Sequence, residues 1–304
     1  MQIALGPLLY YWTRERVFSF YEGIARSPVD IVYLGEGVCA RRHELRLPDW
    51  LEIAGMLRAA GKQTVLSSQA LIEAESDLNH LRRLVAEDGH LVEANDFGAV
   101  RLLSEAKRPF VAGPYLNVFN TPTLAKIASL GATRWVAPIE MSGAVLSDLQ
   151  ASRPAGMQTE VFVFGRLPLA FSARCFTARH FNLQKDTCAF KCESYPEGLE
   201  LRTRDGKPFL NLNGTQTQSI LTYDLIREVD EMRETGVDVL RISPQAEHTA
   251  EVIAAFASRI APPPDSHART ALPAGAHPAG WCNGFWHGKA GLARIEAARE
   301  EAVQ

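Results

Sequence analysis

Residues 30–67 read DIVYLGEGVCARRHELRLPDWLEIAGMLRAAGKQTVLS and contain one complete strand–helix–strand unit. The β-branched and aromatic run Asp30–Leu34 predicts a buried strand. In Pro48–Ala60 the apolar residues recur at helical spacing, and Gln63–Ser67 predicts the next strand. A strand, a helix and a second strand in this order form the repeating unit of a parallel sheet.

The same alternation of strand and helix extends along most of the chain. Strands are predicted at Gln2–Leu5, Asp30–Leu34, Gln63–Ser67, His90–Glu93, Pro109–Ala112, Arg134–Pro138, Glu160–Phe164, Phe209–Leu212 and Val237–Ile242. Helices are predicted between them at Pro48–Ala60, Ala74–Ala86, Thr121–Leu130 and Tyr223–Thr235. Seven to nine such units predict an α/β fold of the (β/α)8 barrel type. An open doubly wound sheet is the alternative, but the chain has neither a GxGxxG motif after its first strand nor a P-loop.

Two stretches interrupt this rhythm. Residues 166–208 are too long for a strand–helix connection, lack a helical period and contain three cysteines. Residues 261–280 are rich in proline and alanine and predict a semi-extended linker. We therefore expect a barrel domain over 1–260 with a cysteine-bearing insertion at 166–208, the linker, and a C-terminal tail, 281–304, that docks on the barrel.

Composition limits the class of protein. The 304 residues are 46% apolar and 22% charged, with a net charge of −3. These values exclude a disordered chain and a disulfide-rich mini-protein, and they provide no bulk charge to recruit nucleic acid or an anionic membrane. No apolar run approaches the ~18 residues that a membrane span requires. The first charge, Arg14, follows the apolar N-terminal stretch, which is the reverse of a signal peptide, so we expect a cytoplasmic protein.

Five cysteines stand at positions 39, 175, 188, 192 and 282. In a cytoplasmic chain, metal or cluster ligation is expected of them more than disulfide formation. Cys175, Cys188 and Cys192 follow the pattern C-x12-C-x3-C, which allows three thiols of one loop to converge on a metal centre. An iron–sulfur cluster usually takes four cysteines, so the fourth would be Cys39 or Cys282.

Topology favours Cys39 as the fourth ligand. It follows the predicted strand Asp30–Leu34, and the cysteine-bearing loop follows Glu160–Phe164, so both lie past the carboxyl ends of barrel strands on one face. Structural zinc and unreactive thiols remain alternatives, although zinc sites usually show two closely spaced cysteine pairs. Basic residues that would stabilise an anionic cluster surround the thiols in sequence, namely Arg41, Arg42, Arg174, Arg179, Lys185 and Lys191.

Other polar residues follow the predicted strands and are expected at the barrel mouth. They are Glu36, Glu93, Asp96, Glu140, Tyr115, Asn117 and Asn120. Such residues perform acid–base chemistry, bind substrate, or merely hydrate the mouth of the barrel. The chain has no G-x-S-x-G and no HExxH motif, and no residue is nominated as a hydrolytic nucleophile.

Several segments together resemble a known family. They are the LGP start followed by YW, VYLGEGVCARR (32–42), DWLE (49–52), RLPLAFSARCFTAR (166–179), DTCAFKC (186–192), LNGTQT (212–217), LRISPQ (240–245) and CNGFW (282–286). In this order they resemble the collagenase-like peptidase family, and within it the UbiV-type iron–sulfur proteins of oxygen-independent ubiquinone biosynthesis. The resemblance covers about residues 1–292.

The resemblance implies a (β/α) barrel with a [4Fe–4S] cluster on four cysteines that match Cys39, Cys175, Cys188 and Cys192. Cys282 matches a position that is not a ligand. It also implies a heterodimer with a UbiU-like sister protein, a UbiT-like lipid-binding carrier, and hydroxylation of a ubiquinone precursor without O2, with prephenate as the oxygen donor. A peptidase role is not implied for this branch. Alternatives are a peptidase that uses acids at the barrel mouth and a zinc-stabilised interaction module without catalytic activity.

Overall fold

A computed structural model describes residues 1–261 and 272–296 of the chain. Eight parallel strands form a closed ring in the order β11–β1–β2–β3–β4–β5–β6–β7, and β7 pairs with β11 to complete it. The barrel strands are β1 (Gln2–Leu5), β2 (Ile31–Leu34), β3 (Gln63–Ser67), β4 (Leu91–Ala94), β5 (Phe110–Ala112), β6 (Ala132–Val136), β7 (Gln158–Phe171) and β11 (Val239–Ile242). The predicted (β/α)8-type barrel is therefore confirmed.

The helices alternate with these strands. They are α1 (Arg14–Ala25), α2 (Leu47–Ala59), α3 (Glu75–Val85), α4 (Phe97–Glu105), α5 (Thr121–Ser129), α6 (Gly143–Gln150), α7 (Phe176–His180), α8 (Val229–Glu234) and α9 (Thr249–Ile260). Helix α5 shows why they begin where they do. The side chain of Asn120 accepts a hydrogen bond from the Thr123 amide, and Pro122 stands in the first turn, where its missing N–H costs nothing.

The core has two apolar layers because successive residues of a strand point to opposite faces. In β1, Ala4 belongs to a small cluster with Tyr33 and Val65, while Ile3 and Leu5 belong to the larger cluster that the helices cover. The smaller cluster fills the interior of the barrel. The strands are thus covered on both sides, as parallel strands require.

The structure departs from the predicted pattern after β7. This strand continues to Phe171, and three further strands, β8 (Leu199–Arg202), β9 (Pro208–Asn213) and β10 (Gln216–Asp224), pair antiparallel beside its extension. The predicted barrel strand Phe209–Leu212 lies in β9, outside the ring. The predicted helix Tyr223–Thr235 is also shorter, because Tyr223 pairs with Gly165 in the sheet and α8 begins only at Val229.

The C-terminal segment returns to the sheet. Strand β12 (Trp281–Cys282) pairs parallel with β10, and Trp286 is buried, with its indole N–H donating to Glu231 at 2.8 Å. A Cβ on Gly143 would lie 2.7 Å from the Trp286 ring, so the absence of a side chain there makes room for it. Residues 262–271 of the predicted linker and 297–304 of the predicted tail lie outside the described residues. Across the described ranges, no helix is long and apolar enough to cross a bilayer.

Candidate metal centre

Cys39 is held by a tight turn at the carboxyl end of β2. Gly35 has φ +130°, and a Cβ at that position would lie 2.8 Å from the Ser67 carbonyl oxygen, so the turn requires glycine. The Glu36 carboxylate accepts hydrogen bonds from the amides of Val38 (2.8 Å) and Cys39 (3.1 Å). These bonds fix the backbone of the loop and bury Cys39, which is 9% exposed.

The other three predicted ligands lie on residues 172–198, between β7 and β8, which we call the cysteine segment. Cys175 precedes α7, and its Sγ accepts a hydrogen bond from the Ala178 amide at 3.4 Å. Between Cys188 and Cys192, residues 189 and 190 both have positive φ (49° and 47°). Two adjacent non-glycine residues in the left-handed region are energetically unfavourable, a form of strain that is concentrated at functional sites.

The turn between β9 and β10 ties the cysteine segment to the Cys39 loop. Gly214 accepts a hydrogen bond from the Phe176 amide at 2.8 Å and donates one to the Thr177 hydroxyl at 3.0 Å. The Thr215 hydroxyl donates to the Val38 carbonyl at 2.6 Å. Sequence reasoning gave this turn no role, although its LNGTQT motif was part of the family resemblance. The sequence signal that could have identified this turn is its short polar stretch, Asn213–Thr215, between two apolar runs.

The structure brings all four predicted cysteine ligands to one cavity, which we call the thiol cavity. Cys39, Cys175, Cys188 and Cys192 line it together with Phe190 and Gly214. Cys282 lies elsewhere, fully buried in β12. That the four thiols bind a metal centre remains a prediction.

Cations also line the thiol cavity. They are Arg41, Arg42, Lys185 and Lys191, four of the six basic residues expected near the thiols. Arg42 is only 4% exposed, and its guanidinium donates to the Leu9 carbonyl and to the Asn213 side chain, both at 2.7 Å. The Glu36 carboxylate lies 3.6 Å from it. The arrangement holds a fixed positive charge beside the sulfur atoms.

The pKa values of two of these thiols reflect both burial and the nearby cation. Burial raises the pKa of Cys39 to about 11, against the opposing effect of Arg42. Burial also raises the pKa of Cys192, again opposed by the Arg42 guanidinium. Loss of solvent disfavours a thiolate and a neighbouring cation favours it. A bound metal centre would shift this balance further toward the thiolate, which is the form that ligates.

The described residues do not form a compact site for a single metal ion. Within residues 1–261 and 272–296, no three His, Cys, Asp or Glu side chains are grouped so as to hold one metal ion. One tetrahedral zinc with Zn–S bonds of about 2.3 Å would draw its thiolates within about 4 Å of one another. A cluster places its own iron and sulfide atoms between the thiolates. Zinc could also take histidine ligands, but His43 and His180, the histidines nearest these cysteines in sequence, do not line the thiol cavity.

The polar residues predicted at the barrel mouth have mostly structural roles. Glu36 organises the Cys39 loop, while Asp96 and Asn120 accept the capping hydrogen bonds of α4 and α5. Glu140 and Asn117 are exposed. Tyr115 and Glu93 line a second cavity; Glu93 is fully buried, lies 2.7 Å from Arg241, and accepts a hydrogen bond from Ser67 at 2.7 Å.

Comparison with known proteins identifies the family. Residues 19–260 match peptidase family U32 over most of the chain. The chain belongs to peptidase family U32. This membership agrees with the resemblance to the collagenase-like peptidases.

Solved structures with a similar fold are distant. The U32 peptidase Mk0906 shares 12% identity at a TM-score of 0.46, with 81% of this chain and 94% of that chain covered. Dihydropteroate synthase from Thermus thermophilus shares 12% identity at a TM-score of 0.43, with 84% of this chain and 93% of that chain covered. The spore cortex-lytic enzyme SleL of Bacillus megaterium shares 10% identity at a TM-score of 0.41, with 84% of this chain and 73% of that chain covered. Likenesses this remote carry no functional argument.

Proposed function

We propose that this U32 family member binds a [4Fe–4S] cluster through Cys39, Cys175, Cys188 and Cys192, as a subunit of an oxygen-independent hydroxylation system for ubiquinone precursors. The observation that carries the proposal is the convergence of four thiols, from two distant parts of the chain, on one cavity. Four cysteines are the usual ligand number for such a cluster.

The charge around the thiol cavity supports an anionic centre. Four thiolates give a cluster a net negative charge, and the buried Arg42 with Arg41, Lys185 and Lys191 would offset it. Arg41 is itself held by the Asp186 carboxylate at 3.0 Å, and Lys185 by Glu73 at 2.6 Å. These ion pairs connect the cysteine segment to the barrel, so the cations keep a fixed position beside the thiols.

When bound, a cluster of this type supplies one-electron redox chemistry. The residues of the chain would perform the remaining tasks. Arg42 would bring positive charge to the cavity wall, Glu36 would hold the Cys39 loop, and Gly214 would keep the cysteine segment against it. Phe190 packs on Tyr11, with ring centroids 5.8 Å apart, and covers the site on one side. Limited access of solvent raises the stability of a cluster toward oxidants.

Iron and acid-labile sulfide analysis of protein purified without air tests this proposal. We expect about four irons and four sulfides per chain, with a brown colour and broad visible absorption. A colourless protein with one zinc per chain would establish the zinc-stabilised module instead. Protein free of metal after anaerobic expression and cluster reconstitution would overturn the proposal.

The partners follow from the same proposal. The hydroxylation system would comprise a UbiU-like sister protein as heterodimer partner and a UbiT-like lipid-binding carrier, with the ubiquinone precursor and prephenate as reactants. Co-expression with the sister protein and size-exclusion chromatography should yield co-elution at about twice the mass of one chain. Elution of this chain alone, together with quinone synthesis that continues without the sister protein, would contradict a subunit role.

A peptidase activity is the second candidate function, because the chain belongs to a family named for it. The acids expected to act at the barrel mouth are largely engaged, since Glu93 pairs with Arg241 and Asp96 caps α4. Digestion of casein and of collagen peptides by the metal-free and the iron-loaded protein tests it. Cleavage that is lost in Glu93→Gln would favour the peptidase over the hydroxylation subunit.

A further inference from the structure

We propose that Arg42 is a positioning residue of the metal centre, whose Nε–H donates a hydrogen bond to the sulfur of Cys192 and thereby raises the reduction potential of a bound cluster. The redox role rests on the proposed function, whereas the hydrogen bond itself does not. Hydrogen bonds to ligand sulfurs are among the factors that set the potentials of iron–sulfur clusters.

Contacts with the barrel hold the Arg42 guanidinium at the wall of the thiol cavity. Its Nη1 donates to the Leu9 carbonyl and its Nη2 to the Asn213 side chain, both at 2.7 Å. The Glu36 carboxylate lies 3.6 Å from Nη1. A guanidinium also remains protonated throughout the ordinary pH range. Arg42 therefore presents a permanent charge in one fixed orientation.

The Nε–H of Arg42 is the donor that these contacts leave over. The atom is buried, and it has no hydrogen-bond partner within residues 1–261 and 272–296. A buried N–H without an acceptor is unfavourable, so an acceptor that approaches it is stabilised. The side chain lines the thiol cavity, where the acceptors at hand are sulfur atoms.

Cys192 is the sulfur nearest in chemistry to this donor. It lines the same cavity as Arg42. Burial raises the pKa of Cys192, and the Arg42 side chain opposes that rise both by its charge and by a hydrogen bond. Sulfur is a weak acceptor as a thiol, and an ionised acceptor forms the stronger hydrogen bond. The bond should therefore strengthen when Cys192 ligates a metal as the thiolate.

A donor at a ligand sulfur stabilises the reduced cluster more than the oxidised cluster. Reduction adds one electron, and the added negative charge strengthens the attraction to a neighbouring N–H and to a cation. Arg42 is only 4% exposed, so water and salt screen its effect little. We therefore expect Arg42 to favour the reduced state and to raise the potential.

Lys191 provides the matched comparison for Arg42. It also lines the thiol cavity, but it is exposed, and its Nζ lies over the Phe181 ring at 5.9 Å. Solvent screens an exposed charge strongly. Removal of Lys191 deletes the same charge as removal of Arg42, and the effect on the potential should be much smaller.

A redox titration of the iron-loaded full chain, followed by the EPR signal of the reduced cluster, tests the proposal. Arg42→Lys keeps the positive charge and removes the Nε–H. We expect its potential to fall by at least about 59 mV, which is a tenfold change in a one-electron equilibrium. Arg42→Gln also removes the charge and should fall further. Lys191→Gln should shift by less than about 59 mV. The unmodified potential in a folded, iron-loaded Arg42→Lys would overturn the proposal.

A second measurement keeps the proposal testable if the Arg42 variants do not fold, because their contacts with Leu9 and Asn213 would be lost. Nitrogen-15 NMR of the full chain without iron detects the Arg42 Nε–H directly. This N–H should exchange slowly with water, and its resonance should shift in Cys192→Ala. Cys282→Ala, outside the thiol cavity, is the control and should leave the resonance in place. A resonance that does not move in Cys192→Ala would refute the hydrogen bond.

The iron content of each sample separates this proposal from the proposed function. Full iron in Arg42→Lys with an unchanged potential would overturn the role of Arg42 and leave the cluster proposal standing. A chain that contains no iron after reconstitution would overturn the cluster and the redox role of Arg42 with it. The NMR measurement would then still decide whether Arg42 donates to Cys192.

Discussion

The barrel interior and the thiol cavity both bury charged side chains, but they satisfy them differently. Inside the barrel, Glu160 accepts hydrogen bonds from the Tyr33 hydroxyl (2.5 Å) and from Arg241 (2.6 Å), and Arg134 lies 3.7 Å away. The protein balances these charges almost completely by itself. In the thiol cavity, four thiols and four cations share one lining, and the Cys175 Sγ accepts a hydrogen bond from the Ala178 amide.

The comparison indicates that the buried charges of the barrel interior stabilise the fold, whereas the groups in the thiol cavity are available to bind a ligand. A balanced buried network stabilises one arrangement of strands and becomes costly when one member is removed. In the thiol cavity, three of the four cations also pair with carboxylates, namely Arg41, Arg42 and Lys185. The thiols take no part in these ion pairs, which leaves them available as ligands. Removal of a thiol should therefore affect metal content and spare the fold, while removal of a barrel charge should do the reverse.

The largest effect is expected from the thiols. Replacement of Cys39, Cys175, Cys188 or Cys192 by alanine should reduce iron from about four per chain to nearly none, because each supplies one of four ligands. Iron analysis and visible absorption of anaerobically purified protein provide the measurement. Cys282→Ala is the control and should retain its iron. Full iron in any of the four single variants would remove that residue from the ligand set.

The reactivity of Cys282, which is packed in β12, can be compared with that of the four cysteines that line the thiol cavity. Burial raises its pKa from 9.0 to about 12, and the side chain is fully buried. Since alkylation requires the thiolate, iodoacetamide at pH 8 should modify Cys282 roughly a thousandfold more slowly than an exposed cysteine. Peptide mass spectrometry of the metal-free protein measures this rate. Rapid labelling of Cys282 before unfolding would show that β12 opens.

Glu160→Gln tests the barrel network. The substitution leaves Arg241 and Arg134 with one carboxylate fewer in a fully buried site, and should lower the free energy of unfolding by about 3–5 kcal/mol. Denaturant unfolding followed by circular dichroism measures the change. Iron per folded chain should remain unchanged. The exposed pair of Glu105 and Arg101 provides a control, in which Glu105→Gln should have little effect.

The smallest effect is expected at the turn that joins the two regions. Gly214 has φ +63°, and a Cβ there would lie 2.9 Å from the Arg42 guanidinium. Gly214→Ala should lower stability by about 1–3 kcal/mol through backbone strain and should also reduce iron occupancy. Gly206 has φ +81° with no atom within 4 Å of a Cβ, so Gly206→Ala carries similar strain without the contact. Equal iron loss in both variants would show that Gly214 has no special role.

Much of the barrel could be predicted from sequence because its signals are local. The strands at Gln2–Leu5 and Gln63–Ser67 are observed with the predicted bounds, and α5 begins at the predicted Thr121. Period-two and period-3.6 patterns, with proline in a first turn, act within a few residues of the chain. The strand predicted at Phe209–Leu212 lies in β9, although outside the ring, whereas β8 and β10 escaped prediction. In β10, polar residues such as Gln216 and Gln218 interrupt the apolar pattern.

The sequence by itself determined that strands and helices alternate, and that Cys39 and the cysteine segment follow the carboxyl ends of strands. Only the tertiary structure decided that the β9–β10 turn joins these two loops, that Arg42 is buried beside the sulfur atoms, and that Glu93 pairs with Arg241. The physical reason is the separation of the interacting residues along the chain. Secondary structure follows from neighbours in the chain, whereas these contacts join residues 148 and 171 positions apart, as in Arg241 with Glu93 and Asn213 with Arg42.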